Sequence, residues 1–227
     1  MKNHINFDAA LEKCKLLYQA ALKKYNEKLD EINSEQYNFE EGAEEFAINS
    51  RYMHRGYYCP SPALEHTVVN IKRGTIAKRV TKITRVTNRY IFDTEQKLRI
   101  VEEFYNGYVS KTEYIFYEEG KVYGFTIGSD GDLINVSVEQ YENEKITSYF
   151  WSYCSCSGCS NNPEILFMRY ETYHYENEGF LYFSFFDMQG DREGPCTYYK
   201  YRFSLDSNGK ALGDTMQLLH RESKLSN

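Results

Sequence analysis

Apolar residues near the start of the chain recur at steps of three and four, which is the spacing of one side of an α-helix. Lysine and glutamate dominate the positions on the other side. The apolar stripe consists of Phe7, Leu11, Cys14, Tyr18, Ala21, Tyr25, Leu29 and Ile32. Asn6 and Asp8 are both suitable residues to cap the start of such a helix. The pattern predicts an amphipathic helix whose apolar side is buried by the rest of the protein.

A different pattern fills the chain after residue 62, where β-branched and aromatic residues alternate with polar ones between short turn sequences. Four turn signals are spaced 13, 11 and 13 residues apart. They are Asn106-Gly107, Glu119-Gly120, Asp130-Gly131 and Asn143-Glu144. Short, regular connections force successive strands to pair antiparallel. This part of the sequence therefore predicts a long meander of about eight to ten strands.

Together these patterns predict an α+β fold in which the N-terminal helix packs on a long, curved antiparallel β-meander. Residues 1–62 are expected to form a helical segment and connector, and residues 63–227 the meander, as one structural unit. The glutamates around Gly42 favour a short second helix or a solvated connector. Both faces of the central strands carry apolar residues, so each face needs cover. The helix can cover one face; curvature towards a half-barrel, or a second subunit in a homo-oligomer, would cover the other.

The hairpin units also resemble one another. Tyr114-Ile-Phe-Tyr-Glu-Glu-Gly-Lys121 and Gln140-Tyr-Glu-Asn-Glu-Lys145 both place aromatic sequence before an acidic or Asn/Gly turn and a lysine. Over about residues 88–147 this pattern resembles the YD-type hairpin repeats of Rhs-like proteins, in which an aromatic–acidic turn starts each hairpin. The resemblance implies consecutive β-hairpins. It implies no particular activity, because a fold does not fix a function and the full Tyr-Asp-x-x-Gly pattern is not completed here.

Tyrosine is the unusual component of the composition: the 227 residues include 22 Tyr and 14 Phe but one Trp. Aromatic side chains on a rigid sheet are typical of binding surfaces, because they supply contact area at low entropic cost. We expect such a surface to contain Tyr105, Tyr108, Tyr114, Tyr117, Tyr123, Tyr173, Tyr175 and Tyr199. Cross-strand pairing within the sheet is the alternative role for these side chains.

Charge is distributed unevenly along the chain. The net charge is −6, which disfavours nucleic acid as a partner. Between His66 and Tyr90, however, there are seven cations and no acidic residue. Six of them are candidates for an anion-binding surface: Lys72, Arg73, Lys78, Arg79, Lys82 and Arg85. Pairing with the acidic segment 27–46 of the same molecule is the alternative.

Three thiols within six residues form the sharpest chemical feature of the sequence. Cys154, Cys156 and Cys159 would hold Zn²⁺ if a fourth ligand came from His174, or from Cys59 or Cys196. Reduced thiols in a loop between two strands, or a disulfide, are the alternatives. No cofactor other than zinc is suggested by the sequence.

The catalytic signals are few. The sequence contains no Gly-x-Ser-x-Gly motif and no phosphate-binding glycine-rich loop. His54 beside Arg55 would suit a phosphate-handling site, since Arg binds the anion and His moves a proton. The alternative is a surface loop. We assign no catalytic residue from the sequence.

These observations favour a non-catalytic binding protein that docks a protein partner through an aromatic sheet face, as an immunity or antitoxin protein would. A zinc-binding protein and an enzyme with an unrecognised site are the alternatives. The first residues contain no secretory apolar run and no segment is long enough to cross a bilayer, so we expect a cytoplasmic protein without a membrane partner.

Overall fold

The computed structural model describes residues 5–33, 37, 39–67, 71–155, 164–176, 179–189 and 196–224. These residues form one α-helix, α1 (Phe7–Asn33), and twelve β-strands. The strands are β1 (Glu41–Ile48), β2 (Thr75–Ile76), β3 (Val86–Asp93), β4 (Leu98–Tyr105), β5 (Tyr108–Glu118), β6 (Lys121–Gly128), β7 (Leu133–Glu142), β8 (Lys145–Ser155), β9 (Glu164–Glu176), β10 (Phe180–Gln189), β11 (Cys196–Ser204) and β12 (Gln217–Lys224).

All twelve strands belong to one antiparallel sheet, in the order β12-β11-β10-β9-β8-β7-β6-β5-β4-β3-β1-β2. The predicted meander is confirmed, because each strand from β3 to β12 pairs with its neighbours in sequence. This meander has ten strands, within the expected number, and β1 and β2 extend the sheet to twelve. The expected closure towards a half-barrel does not occur, since β12 and β2 remain the two edges of an open sheet.

Left-handed backbone conformations at the tight turns set the spacing of the hairpins. Asn106 and Gly107 have φ of 51° and 88°, and Asn143 and Glu144 have φ of 49° and 63°. Two consecutive residues with positive φ match the right-handed twist of the flanking strands, which is why such turns connect hairpins well. The turn signals at both places are confirmed.

The N-terminal helix covers one face of the sheet, as the apolar stripe predicted. Asn6 caps α1, because its Oδ1 accepts the backbone N–H of Ala9 at 3.0 Å. Fully buried Cys14 and Ala21 lie in a core with residues of β7, β8 and β9. The strand side of this core includes Val136, Val138, Phe150, Cys154 and Met168. In the part of the chain that the structure describes, no helix is long and apolar enough to span a membrane.

The acidic segment after the helix forms strand β1, not the expected second helix or solvated connector. β1 pairs with β3, and its glutamates have partners outside β1: Glu44 Oε2 accepts Arg89 Nη2 of β3 at 2.7 Å, and Glu45 Oε2 accepts the hydroxyl of Tyr58, which follows β1 in the chain, at 2.6 Å. These bonds allow a glutamate-rich segment to extend the sheet. The sheet therefore begins before the predicted boundary at residue 62.

Residues 49–67 and 71–74, between β1 and β2, cross the second face of the sheet. We call this segment the connector. Its residues Met53, Cys59, Ala63, Leu64 and Ile71 are buried against apolar side chains of the sheet. Those side chains include Leu181, Phe183, Phe185, Tyr201 and Phe203. The second face is thus covered by the chain's own connector, which is why the sheet does not have to curl on itself.

Candidate functional site

A sharp turn of the connector directs one arginine into the sheet. Tyr52, Arg55 and Gly56 have φ of 56°, 57° and 54°, which are left-handed conformations. The Tyr90 hydroxyl of β3 fixes this turn from below, because it donates to the carbonyl of Arg55 at 3.0 Å and accepts the N–H of Tyr57 at 2.9 Å. Arg55 as a whole residue is only 6% exposed.

The guanidinium of Arg55 lies between two buried carboxylates. Its Nε donates to Glu113 Oε1 of β5 at 2.9 Å, its Nη1 donates to Glu139 Oε1 of β7, and its Nη2 donates to Ser137 Oγ at 3.1 Å. Both glutamates are 3% exposed. Burial by itself would raise the pKa of Glu113, but the charges of Arg55 and His54 outweigh it and lower that pKa to about 2. Glu113 is therefore held as a carboxylate.

A glycine in the middle of β6 provides the space for this cluster. A Cβ atom at Gly124 would overlap Glu113 Oε1, Arg55 Nη2 and Ser137 Oγ. The backbone of Gly124 needs no left-handed conformation, so close approach of the side chains alone explains the residue.

His54 connects the cluster to β8. Its Nδ1 is hydrogen-bonded to the Tyr149 hydroxyl, and its Nε2 lies 3.1 Å from Glu113 Oε2. The imidazole stacks on the Tyr149 ring, with centroids 6.0 Å apart, and contacts Trp151 at 5.5 Å. Both ring nitrogens thus face a protein group, and the ring orientation is fixed from two sides.

A cavity of about 370 Å³ opens above this cluster, between the connector and strands β3 to β8. Arg55, His54 and Glu113 lie on its wall, as do apolar side chains of the connector and β4. Three further wall residues each carry a buried polar atom that has no hydrogen-bond partner in the described ranges. These atoms are Thr126 Oγ1, Asn135 Oδ1 and Trp151 Nε1.

Such unpaired atoms are informative because an unsatisfied buried polar group costs about 1–3 kcal/mol. Native proteins therefore rarely leave one without a protein, water or ligand partner. Here the three atoms come from three different strands, and the residues that carry them line one cavity. A bound polar molecule could reach all three residues at once.

A second buried carboxylate lies next to the site on β9. Glu171 is fully buried and is paired in register with Tyr149, the partner of His54. The Tyr173 hydroxyl donates to Glu171, and the nearby Arg169 is occupied by Asp187 at 2.6 Å. Burial raises the pKa of Glu171 to about 7, although Arg169 opposes this shift. Glu171 and Glu113 thus differ widely in pKa although both are buried.

The structure does not bring the eight tyrosines predicted as a binding surface onto one face. Tyr123 and Tyr173 are buried in the two opposite cores, under α1 and under the connector. Of the others, Tyr114, Tyr175 and Tyr199 are half-buried, and Tyr105, Tyr108 and Tyr117 are exposed. Only Tyr105 and Tyr108 stand out strongly, at 72% and 79% exposure, and they are cross-strand partners at the tip of one hairpin.

The six cations predicted as an anion-binding surface have two different roles. Arg73 is a structural residue of the connector, because its Nη1 donates to the carbonyl of Cys59 at 2.7 Å and its Nε lies 2.8 Å from Glu65 Oε2. The others are exposed and make no ion pair within the described part of the chain. They are Lys72, Lys78, Arg79, Lys82 and Arg85. The alternative was that the cations between His66 and Tyr90 pair with the acidic segment 27–46. One such ion pair is present, between Arg89 and Glu44.

The predicted zinc ligands are only partly described. Cys156 and Cys159 lie outside the described residues. Cys154 is buried in the core under α1, where its Sγ lies 3.4 Å from the Tyr18 hydroxyl. Cys154 pairs with Ile165 of β9, nine residues from His174, or about 30 Å at 3.3 Å per residue. His174 and Cys154 therefore do not share a site, and no metal-binding group of three or more His, Cys, Asp or Glu occurs among the described residues.

Sequence reasoning identified His54 and Arg55 but missed their partners. Val136 and Val138 of β7 face the helix. The polar residues Asn135, Ser137 and Glu139 alternate with them on the opposite side of the strand, and all three are buried. A glutamate within each of the strands β5 and β7, Glu113 and Glu139, was the available signal.

Comparisons with known proteins add no relative: no family model matches the chain, and no curated protein or solved structure does so significantly. The resemblance to YD-type hairpin repeats thus finds no match among family models, and the candidate site has to be judged on its geometry.

Replacing Arg55 with methionine should destabilise the protein strongly. The variant keeps most of the apolar volume but leaves Glu113 and Glu139 buried without their counter-charge, which costs about 3–5 kcal/mol. We expect urea unfolding at pH 7 to show this loss for Arg55→Met. The triple variant Arg55→Met, Glu113→Gln, Glu139→Gln should recover part of it. A triple variant no more stable than the single one would show that charge compensation is not the cause.

Glu171→Gln should change how stability depends on pH. The folded protein holds a proton on Glu171 up to about pH 7, whereas the unfolded chain loses it near pH 4.5. The parent therefore loses stability as pH rises through this window, by about 3 kcal/mol relative to the glutamine variant. Denaturant unfolding from pH 4.5 to pH 8 measures the difference. Parallel curves for parent and variant would contradict the raised pKa.

Proposed function

We propose that this is a binding protein whose ligand is a small molecule held in the cavity between the connector and the sheet. The cavity volume, about 370 Å³, lies at the small end of the range for ligand sites. Its wall combines apolar surface from Met53, Val101 and Phe104 with a few polar side chains, which is the usual composition of such sites. The rigid cluster around Arg55 supports one side of it.

The observation that carries this proposal is the set of unpaired polar atoms on Thr126, Asn135 and Trp151. Other polar groups of the site have protein partners, since Arg55, Glu113 and Ser137 are bound to one another. Most buried polar groups that only support a fold are paired in this way. Unpaired ones in a cavity wall are what a binding site offers to its ligand.

A catalytic role for His54 and Arg55 is less well supported. The guanidinium already binds two carboxylates and a hydroxyl, so it has no free edge for a phosphate. Both nitrogens of His54 also face protein groups. These contacts favour a role in holding the connector on the sheet, and we assign neither residue to catalysis.

Removing the unpaired polar atoms should abolish binding without unfolding the protein. We expect the parent, incubated with a fractionated small-molecule extract, to show a stoichiometric adduct by native mass spectrometry. The double variant Thr126→Val, Asn135→Leu should bind the same adduct at least about tenfold more weakly, since it loses two hydrogen-bonding groups. Thr147→Val, on β8 outside the cavity wall, is the matched control and should bind like the parent. A parent without any adduct, or a double variant that binds equally, would refute the proposal.

A protein partner is the second candidate, and one surface favours it. Tyr105 and Tyr108 are strongly exposed at the tip of the β4–β5 hairpin. The turn between them lies against Ile83 and Thr84, because a Cβ at Gly107 would be 3.4 Å from both side chains. The exposed cations of segment 78–85 therefore border the two tyrosines, and an acidic protein surface would complement them. The immunity- or antitoxin-like hypothesis is therefore retained with this hairpin tip as its binding surface.

The double variant Tyr105→Ala, Tyr108→Ala tests this surface. We expect the tagged parent to retain one acidic protein at a stoichiometric ratio from native lysate, and the double variant to lose it, because exposed aromatic anchors carry most of the energy of such contacts. Leu219→Ala, which removes an exposed side chain on the edge strand β12, should keep the partner. Retention by the double variant would exclude the hairpin tip.

A further inference from the structure

We infer that the ligand of the cavity is an uncharged polar compound that both donates and accepts hydrogen bonds. This inference rests on the proposed function, and it specifies the ligand class. It follows from two properties of the cavity wall: its charges are already paired with one another, and the unpaired polar atoms of Thr126, Asn135 and Trp151 belong to uncharged side chains.

The charges deep in the cavity are compensated by one another. Glu113 accepts from Arg55 Nε through Oε1 and faces His54 through Oε2. The remaining Arg55 nitrogens are bound by Glu139 and Ser137. A charged ligand placed here would have to break one of these bonds or be buried without a partner, and both are costly.

The charges nearer the surface are also paired. Lys111 Nζ lies 3.3 Å from Glu103 Oε1, and both residues line the cavity. The charged wall residues Arg55 and Lys111 are matched in number by Glu103 and Glu113. The wall therefore has no unpaired charge to hold an ionic ligand, which includes the phosphate that His54 and Arg55 suggested in the sequence.

The unpaired atoms define the complementary groups of the ligand. Asn135 Oδ1 can only accept a hydrogen bond and Trp151 Nε1 can only donate one, while Thr126 Oγ1 can do either. The ligand must therefore present at least one donor and one acceptor close together. The apolar side chains of Met53, Val101 and Phe104 require that another part of it be apolar. Neutral sugars and neutral nucleosides share this chemistry.

Neutral compounds and their charged analogues test the inference. Glucose is compared with glucosamine and glucuronate, and uridine with uridine monophosphate, by saturation-transfer NMR and calorimetry on the full chain. We expect a neutral member of one series to bind, and its charged analogue to bind at least about tenfold more weakly. The Asn135→Leu variant should bind the neutral member more weakly than the parent does. The two series distinguish a sugar from a nucleoside.

The outcomes separate this inference from the proposed function. If a charged analogue binds as tightly as its neutral counterpart, or if the adduct isolated from the extract is a charged compound, the ligand class is wrong and the cavity remains a binding site. If neither the sugars and nucleosides nor the extract yields a ligand, ordered water is enough to pair the three atoms. Both the ligand class and the proposed function are then wrong. Thr147→Val, outside the wall, should bind like the parent throughout.

Discussion

The buried charge cluster of Arg55 with Glu113 and Glu139 is the interaction on which the arrangement of this protein depends. It attaches the connector to strands β5 and β7, and both partners are nearly inaccessible to water. A buried ion pair adds little net stability compared with an apolar replacement, but it penalises every arrangement in which its members are separated. The main effect of the cluster is therefore to fix the position of the connector. Its contribution to the stability of the sheet is smaller. The cavity exists because the connector is held at that place.

The two faces of the sheet are covered in different ways. The face under α1 has a structural role, and the face under the connector contains the candidate site. Under α1 the core packs apolar side chains such as Phe125, Phe150 and Met168. Under the connector, apolar residues of β8–β11 form one core and apolar residues of β3–β6 form another, and polar residues of β5–β8 line the cavity. A single long sheet thus provides apolar cores and a polar site on the same face.

The features that the sequence predicted are those encoded by neighbouring residues. The stripe from Phe7 to Ile32 and the turn at Asn106-Gly107 each depend on contacts or dihedral angles within a few positions, so periodicity and turn chemistry reveal them. The strand β1 was missed because its glutamates look solvated until Arg89 and Tyr58 are placed beside them by the fold. Only part of the site could be predicted. His54 and Arg55 are recognisable as a candidate pair, but Glu139 is indistinguishable in sequence from an outward-facing strand residue. The tyrosines were misjudged as a group for the same reason, since alternation assigns them to faces without showing what covers each face.

The strictly sequential strand order has a consequence for how the molecule assembles. Hairpins between adjacent strands close short loops, so the sheet from β3 to β12 can grow one neighbour at a time. The bonds of Arg55 to Glu113 and Glu139 instead close loops of 58 and 84 residues. Closing such long loops costs more conformational entropy than closing a hairpin. The contacts of Arg55 can form only after the strands beneath it are in register. The connector is therefore expected to dock last, and a chain interrupted before β8 would possess hairpins but no recognition cavity.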